Sequence, residues 1–443
     1  MAINIHLFSV LWLPWLLLLL ITCVSATPII IPTLGIRNLI GPRATASSSF
    51  PSQDFKTYLH TQTLDHFNYR PECYTTFQQR YVINFNAPVF VYLGGQSPLD
   101  FYLPDIGFLT DNAPHFKALL HRYYGKSIPF KSRVEAFQNA SSLGYLSSSQ
   151  SLADYAEIIL DIKKNLSATS CMPCGHIGAL ASSFPILYFD EITPQDGFFS
   201  IVTQDFRPNG LSILSKRFNI CVPLTSSSEL KDYLIAAYVV AAESDSPPSN
   251  LVTLVCNSID RTSPKTGIIG KVIAGIVALI GNTSWFNPND YFPVEIVEAL
   301  LWLKCSELVM PIGMSGNATM FQTAPFDLNI YIESCKKIFG VSRRPHWITT
   351  QFGGHDIKLV VKRFASNIIF SNGLRDPYSV GGVLQNISDS LVALTTKNGS
   401  HSLDIFPALP TDPDWLVMQR RSEITIIDQW IAQYYADRRA GNS

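Results

Sequence analysis

The chain has 443 residues, of which 47% are hydrophobic and 12% aromatic. It can therefore bury a large core, and it is too long for one small domain. The formal net charge of −1, without long basic or acidic runs, excludes an electrostatic surface for nucleic acid or for an anionic membrane. We expect a globular protein with one large domain and an insertion.

Residues 1–26 are predicted to be a secretory signal peptide. An apolar run over residues 7–23 ends in Val24-Ser25-Ala26, whose small side chains suit signal peptidase. The absence of Lys and Arg before the run leaves an uncleaved signal anchor as the alternative. No later stretch is long and apolar enough to span a bilayer, so we expect no membrane association after cleavage.

The polar residues support the same secretory route, with the extracellular space or apoplast, the vacuole or the lysosome as destination. Six Asn-x-Ser/Thr sequences are candidate glycosylation sites, at Asn139, Asn165, Asn282, Asn317, Asn386 and Asn398. Most cysteines should pair in an oxidising compartment. Beyond the signal they are Cys73, Cys171, Cys174, Cys221, Cys256, Cys305 and Cys335, and this odd number leaves at least one without a partner within the chain.

Alternating apolar and polar residues predict the first structural elements. Residues 58–85 are expected to form a hairpin of edge strands, and residues 87–93 a buried strand that runs into Gly94-Gly95. Backbone N–H groups of these glycines could serve an oxyanion hole, with a plain turn as the alternative. Residues 115–130 are expected to begin as an apolar helix that breaks at Gly125.

Residues 149–166 show the 3, 4 spacing of an amphipathic helix. Residues 177–181 are predicted to form another buried strand. Residues 197–345 are predicted to be a mainly helical insertion, with a buried helix at 269–280. The chain closes with a helix at 424–435. This alternation, interrupted by a helical block, favours an α/β fold with a mostly parallel sheet that carries a cap.

Cys171 and Cys174 form a C-x-x-C pair with His176 beside it. A redox disulfide is one interpretation of such a pair, and a structural or incidental pair is the other. A structural zinc site would need a second pair at this spacing, which the sequence lacks.

Asp376 and His401 each follow a predicted buried strand, at residues 367–370 and 391–396. An acid after one strand and a histidine after the next is the order in which an α/β hydrolase supplies two members of a Ser…Asp…His triad. A structural turn and an ordinary hydrogen-bonded histidine are the alternatives.

The sequence contains no G-x-S-x-G motif for a nucleophilic serine. The nearest match, at residues 94–98, has a proline after Ser97, and this proline removes the N–H that an oxyanion hole needs. Ser182 and Ser183 follow a strand but lack flanking glycines.

Several longer stretches resemble one family of enzymes. They are SLADYAEIILDIKKNLSAT, GALASSFPIL, VMPIG, RPHWITTQFGG, SNGLRDPYSVGG, NGSHSLDI and DPDWLVMQRRSE. They resemble the prolylcarboxypeptidase and dipeptidyl peptidase II family of serine exopeptidases, in its plant-like branch, from residue 58 to the C-terminus. The resemblance implies an α/β-hydrolase domain in two parts, 27–196 and 346–443, with a helical cap at 197–345 between them.

The resemblance also implies function and site residues. The substrate would be a peptide with proline near a terminus, no metal or cofactor would be needed, and a homodimer would be plausible. Asp376 would be the acid and His401 the base. Met310 and Tyr378 would line the proline pocket, although many family members have tryptophan in place of this tyrosine. Cys305 and Cys335 would form a disulfide.

The chain departs from the family between Thr169 and Gly178. Family members have a strand, a GGSYGG elbow and a helix there, so the resemblance implies that a central strand and the nucleophile are deleted. Residues 119–125 and 204–216 are similarly shortened. Exon skipping or a faulty gene model would explain these joins, and we expect no activity. The rival interpretation is a catalytically dead, glycosylated peptide-binding protein. Which peptide end a complete enzyme would cleave stays open.

Overall fold

A computed structural model describes most of the chain. The described residues are 56–70, 74–83, 90–93, 98–103, 106–112, 116–119, 121–165, 178–189, 192–200, 227–280, 294–314, 321–342 and 344–441. Several predictions lie outside them: the signal peptide, the glycine pair at 94–95, the C-x-x-C segment with its histidine, the sequons at 282 and 317, and the joins at 169–178 and 204–216.

The described residues contain seven strands. They are β1 (Lys56–Thr63), β2 (Thr76–Ile83), β3 (Phe90–Leu93), β4 (Phe116–Leu119), β5 (Ala179–Ser182), β6 (Ile368–Gly373) and β7 (Leu391–Thr396).

The α-helices of the described residues lie mainly in the middle and at the end of the chain. They are α1 (Leu99–Tyr102), α2 (Gly107–Asn112), α3 (Arg133–Ala136), α4 (Ala140–Leu143), α5 (Ser148–Asn165), α6 (Ser227–Glu243), α7 (Leu251–Arg261), α8 (Gly267–Ile280), α9 (Val294–Ser306), α10 (Leu328–Phe339), α11 (Trp347–Gln351), α12 (Ile357–Phe364) and α13 (Asp414–Gly441).

The first sheet has the order β1-β2-β4-β3. The predicted hairpin is confirmed, since β1 and β2 pair antiparallel along their whole length. Of the two, only β1 is an edge strand, because β2 also pairs with β4. The helix predicted to begin at residue 115 is wrong, because Phe116–Leu119 forms β4, antiparallel to β2 and parallel to β3. A short apolar run suits a helix or a buried strand equally well, and here the two flanking strands determine the outcome.

The second sheet has the order β5-β6-β7, with both pairs parallel. The three predicted strands are confirmed. The predicted burial is wrong for the first and the third of them, because no residue of β5 is buried and only Leu391 of β7 is. The burial predicted for residues 87–93 is also wrong for β3, none of whose residues is buried. An edge strand has one neighbour and therefore keeps part of its surface in solvent. Across the two sheets, parallel pairs outnumber antiparallel pairs by three to two.

The predicted helix at 149–166 is confirmed as α5. Tyr155, Ile158 and Ile162 on its inner face pack against Tyr81 and Ile83 of β2. Their spacing is that of one face of an α-helix, so this helix covers the first sheet.

The helical block builds its own core. Helices α6, α7 and α8 bury apolar side chains in one cluster, to which Phe198, Phe199 and Tyr378 also belong. A disulfide between Cys305 and Cys335 joins α9 to α10. Within the described residues, no helix combines the length and apolar composition needed to cross a bilayer.

The closing helix α13 is longer than predicted. It begins at Asp414 and ends at Gly441, whereas the apolar repeat indicated only residues 424–435. An acid in its first turn and Arg438 and Arg439 in its last turn complement the helix dipole. The first turn also adds an apolar contact, because Leu416 is buried.

Candidate active site

Two loops at the carboxyl ends of β6 and β7 bring Asp376 and His401 together. The distance from Asp376 Oδ2 to His401 Nδ1 is 2.9 Å. The aspartate side chain is fully buried, and the imidazole is 13% exposed. Parallel strands end at the same edge of a sheet, which explains why an acid and a histidine 25 residues apart come into contact.

Glycines allow the two loops to approach each other. A Cβ on Gly373 would lie 2.3 Å from the carbonyl carbon of Gly399, and a Cβ on Gly399 would lie 2.9 Å from Gly373 Cα. The Arg375 N–H donates to the Gly399 carbonyl over 2.9 Å. The glycines of SNG and NGS are therefore required by backbone contact, independently of any positive φ.

The acid has two hydrogen-bonding functions. Asp376 Oδ1 accepts a bond from the Tyr378 N–H over 3.0 Å and so begins the 3₁₀ turn Pro377–Gly381. Because a carboxylate only accepts, the N–H of His401 Nδ1 donates this hydrogen bond to Oδ2. In the neutral imidazole Nε2 then carries no proton, which is the state that a general base requires.

An apolar cluster lies beside the imidazole. The ring of Tyr378 is 5.3 Å from that of His401 and 4.9 Å from that of Phe198, between ring centroids. Met310 packs against the same cluster. The structure thus places Tyr378 against His401, and Met310 against the cluster to which Tyr378 belongs.

Ser182 and Ser183 contact the loop that contains the histidine. The Ser182 hydroxyl donates to Asp404 Oδ1 over 2.5 Å, and the Ser183 hydroxyl accepts a bond from the Ser402 N–H over 2.8 Å. Ser183 has a φ of 51°, an unfavourable conformation for a non-glycine residue. Both hydroxyls support the loop next to His401.

A buried acid pair lies behind this loop, and no sequence pattern indicated it. Glu423 on α13 and Asp404 are both buried. The Ser371 hydroxyl donates to Glu423 Oε1 over 2.7 Å, and Arg420 Nε donates to the Asp404 carbonyl over 2.8 Å. Burial and the neighbouring Asp404 raise the pKa of Glu423 to about 9, so Glu423 is protonated at neutral pH.

This pair makes stability depend on pH. Because folding raises the pKa of Glu423 from 4.5 to about 9, its stabilising contribution is complete below the lower value and is lost as the pH rises through the higher one. We expect the urea midpoint to fall between pH 5 and pH 9, and Glu423→Gln to remove most of that fall. Equal slopes for both proteins, measured by circular dichroism, would contradict the assignment.

Helix α6 also reaches the site, which no sequence pattern indicated. The carbonyl of Glu243, at its last residue, accepts a bond from the His401 N–H over 3.1 Å. Burial and the charge of Asp376 raise the pKa of the Glu243 carboxyl well above its usual range. Asp245 forms an ion pair with Arg375. These contacts join residues more than a hundred positions apart, which no local pattern indicates.

The predicted glycosylation sites that the structure describes are all at the surface. They are Asn139, Asn165, Asn386 and Asn398. Asn139 also caps helix α4, since its side chain accepts bonds from the N–H groups of Ser141 and Ser142. Its amide nitrogen is not used by these bonds.

Comparison with known proteins places the chain in a family. The family model described as serine carboxypeptidase S28 matches residues 62–193 and 286–423, more than half of the chain. The lysosomal Pro-X carboxypeptidase of Bos taurus is 31% identical over 510 aligned positions, which cover 96% of this chain and 99% of the bovine one.

Two further relatives have similar coverage. The lysosomal Pro-X carboxypeptidase of Homo sapiens is 28% identical over 95% of this chain and 98% of its own. Prolyl carboxy peptidase like protein 5 of Caenorhabditis elegans is 28% identical over 81% of this chain and 86% of its own. The resemblance seen in the sequence motifs is confirmed, and the chain belongs to the serine carboxypeptidase S28 family of hydrolases.

Proposed function

We propose that the complete product of this gene is a serine exopeptidase that hydrolyses peptide bonds next to proline. Asp376 orients and stabilises the imidazole, and His401 accepts the proton of a serine and later delivers it to the leaving amine. The observation that carries the proposal is the 2.9 Å contact between Asp376 Oδ2 and His401 Nδ1. Their order along the chain and the family membership support it.

We assign the proline pocket to the apolar cluster beside the histidine. Tyr378 is 2% exposed and contacts both His401 and Phe198, while Met310 lies at the edge of the same cluster. A compact apolar ring such as that of proline is favoured by apolar and aromatic walls. Peptides with proline near a terminus are therefore the proposed substrates.

The chain itself is proposed to lack the nucleophile. Its sequence contains no G-x-S-x-G motif. The alignment with the bovine relative covers more positions than this chain has residues, so the relative contains segments that are missing here. In the described part of the chain, β3 and β5 end their respective sheets. A strand between them would complete a single sheet, and the elbow would follow it.

We infer that the chain has two parts, a hydrolase domain from residues 27–196 and 346–443 and a cap from residues 197–345. Helices α6 to α10 lie within the cap, and the family match leaves out residues 194–285. A cap whose helices contribute to the cluster around Tyr378 would close over the substrate.

We infer a secretory destination, the lysosome or vacuole or the extracellular space. The bovine and human relatives carry the word lysosomal in their names, and the four described sequons are exposed. The residues of the proposed signal peptide precede all of them. Because N-glycosylation takes place in the secretory pathway, we propose that these asparagines are glycosylated.

The second candidate is a catalytically dead peptide-binding protein that uses the same apolar cluster. Long-read sequencing of transcripts from this locus distinguishes the two. A main product with a strand and GGSYGG-like elbow between Thr169 and Gly178 is expected, and its purified protein should hydrolyse Pro-X peptides. If the present joins prove to be the main product, the enzyme proposal fails for this gene.

A further inference from the structure

We infer that residues 243–245, at the end of cap helix α6, position the Asp376–His401 pair, with Asp245 as the positioning side chain. This inference rests on the function proposed for that pair. It assigns to the cap a mechanical function in catalysis, in addition to covering the substrate.

The first contact fixes the histidine. His401 lies in a loop whose next residue, Ser402, has a φ of 52°. Its backbone N–H donates to the carbonyl of Glu243 over 3.1 Å. A loop residue whose backbone is bonded to a helix end loses much of its freedom. The end of α6 therefore restrains the backbone of His401.

The second contact fixes the acid. Arg375, directly before Asp376, forms an ion pair with the fully buried carboxylate of Asp245. The backbone N–H of Arg375 donates to Gly399 in the histidine loop. Arg375 therefore links three segments: the cap through its side chain, the histidine loop through its backbone, and Asp376 through the peptide bond.

Asp245 is itself fixed by a second bond. Its Oδ1 accepts the Val252 N–H over 3.0 Å, in the first turn of helix α7. One buried carboxylate thus joins the start of α7 to the loop of the catalytic acid. Replacing it by asparagine keeps an acceptor for Val252 and removes the charge that attracts the guanidinium.

Two buried acids lie at the end of α6, and Asp245 is the one in contact with the arginine. Burial, together with the charge of Asp376, raises the pKa of the Glu243 carboxyl well above its usual range, and its Oε1 has no hydrogen-bond partner. Burial raises the pKa of the Asp245 carboxyl as well, while the charge of Arg375 lowers it. The charge of Lys304, on α9, lowers the pKa of Glu243 and so opposes the effect of burial. Tyr378 is a further titratable group, and its ring contacts the imidazole of His401.

The test uses the chain as it is and needs no nucleophile. In protein labelled with ¹⁵N-histidine, the proton on Nδ1 of His401 should give a far-downfield resonance because it is bonded to a carboxylate. We expect Asp245→Asn to speed its exchange with water by about tenfold, the effect of losing one ordinary hydrogen-bond contribution. Arg375→Gln should do the same, and the double variant should add little.

Controls separate a positioning function from a merely structural one. Glu298→Gln breaks another ion pair, between Arg133 and Glu298 at 2.7 Å, and should leave the resonance unchanged. The imidazole signals of His66, which contacts Asp154 at 2.8 Å, report that each variant is folded. If Asp245→Asn does not fold, Arg375→Gln provides the measurement, since that side chain is 29% exposed.

Two failures are distinguishable. Asp376→Asn should abolish the downfield resonance, and if it does not, the proposed acid–base pair is wrong. If Asp376→Asn abolishes it while Asp245→Asn and Arg375→Gln lower only the unfolding midpoint, the pair stands and the inference about the cap is overturned.

Discussion

Purified chain is expected to release no residue from a Pro-X peptide and to take up no fluorophosphonate label. Loss of a triad serine lowers kcat by a factor on the order of 10⁶, which places turnover below detection. Ser182 and Ser183, which contact the histidine loop, do not replace it, because the Ser182 hydroxyl is bonded to Asp404 and the Ser183 hydroxyl to Ser402. Mass spectrometry of the peptide and of the labelled protein gives the answer.

The matched positive control is the bovine relative, assayed with the same peptide at the same pH. Circular dichroism and the histidine resonances verify that an inactive sample is folded. Turnover accompanied by label on any serine would refute the expectation. Peptide binding without turnover would favour the alternative of a dead binding protein.

The second large effect, a loss of stability, is expected at a buried ion pair between the first sheet and helix α5. Arg122 and Asp154 are both fully buried. The guanidinium donates to both carboxylate oxygens, over 2.7 and 2.5 Å, and to the carbonyls of Leu64 and Tyr145, over 2.8 and 3.0 Å. Arg122→Met leaves a buried carboxylate without its counter-ion, which costs about 3–5 kcal/mol. Urea unfolding monitored by circular dichroism measures the loss.

An ion pair whose acid is exposed provides the control. Arg80 and Asp100 are joined at 2.8 Å, with the acid 61% exposed, so Asp100→Asn should cost less than about 1 kcal/mol. Adding Asp154→Leu to Arg122→Met should recover part of the loss, because the uncompensated charge is then removed. Equal destabilisation by Arg122→Met and Asp100→Asn would contradict the interpretation of a buried network.

Local periodicity predicted the elements that it could specify. The 3, 4 spacing of helix α5 and the apolar runs of β5, β6 and β7 lie within a few residues of the observed bounds. At β4 the apolar run was too short to distinguish a helix from a strand, and its pairing with β2 and β3 determined the outcome. Helix α13 begins ten residues before the apolar repeat used to predict it, and its first turn buries Leu416.

The residues of the candidate site also fall into two groups, those that the sequence indicated and those that it did not. Motif order indicated Asp376 and His401, and the family resemblance indicated Met310, Tyr378 and the disulfide partners. Glu423, Asp245 and Glu243 were not indicated, because their partners lie 52 residues away for Glu423 and more than a hundred away for the other two. Such contacts follow from how the sheet, the cap and the last helix pack.

The sequence by itself determined the family, the order of acid and base, and the absence of a G-x-S-x-G motif, because each of these depends only on which residues occur and in which order. The distance between Asp376 and His401, the close backbone approach of Gly373 and Gly399, and the contacts from residues 243–245 were decided only by the tertiary structure. The physical reason is that hydrogen bonds and ion pairs act over a few ångströms, so they depend on which segments the fold brings together.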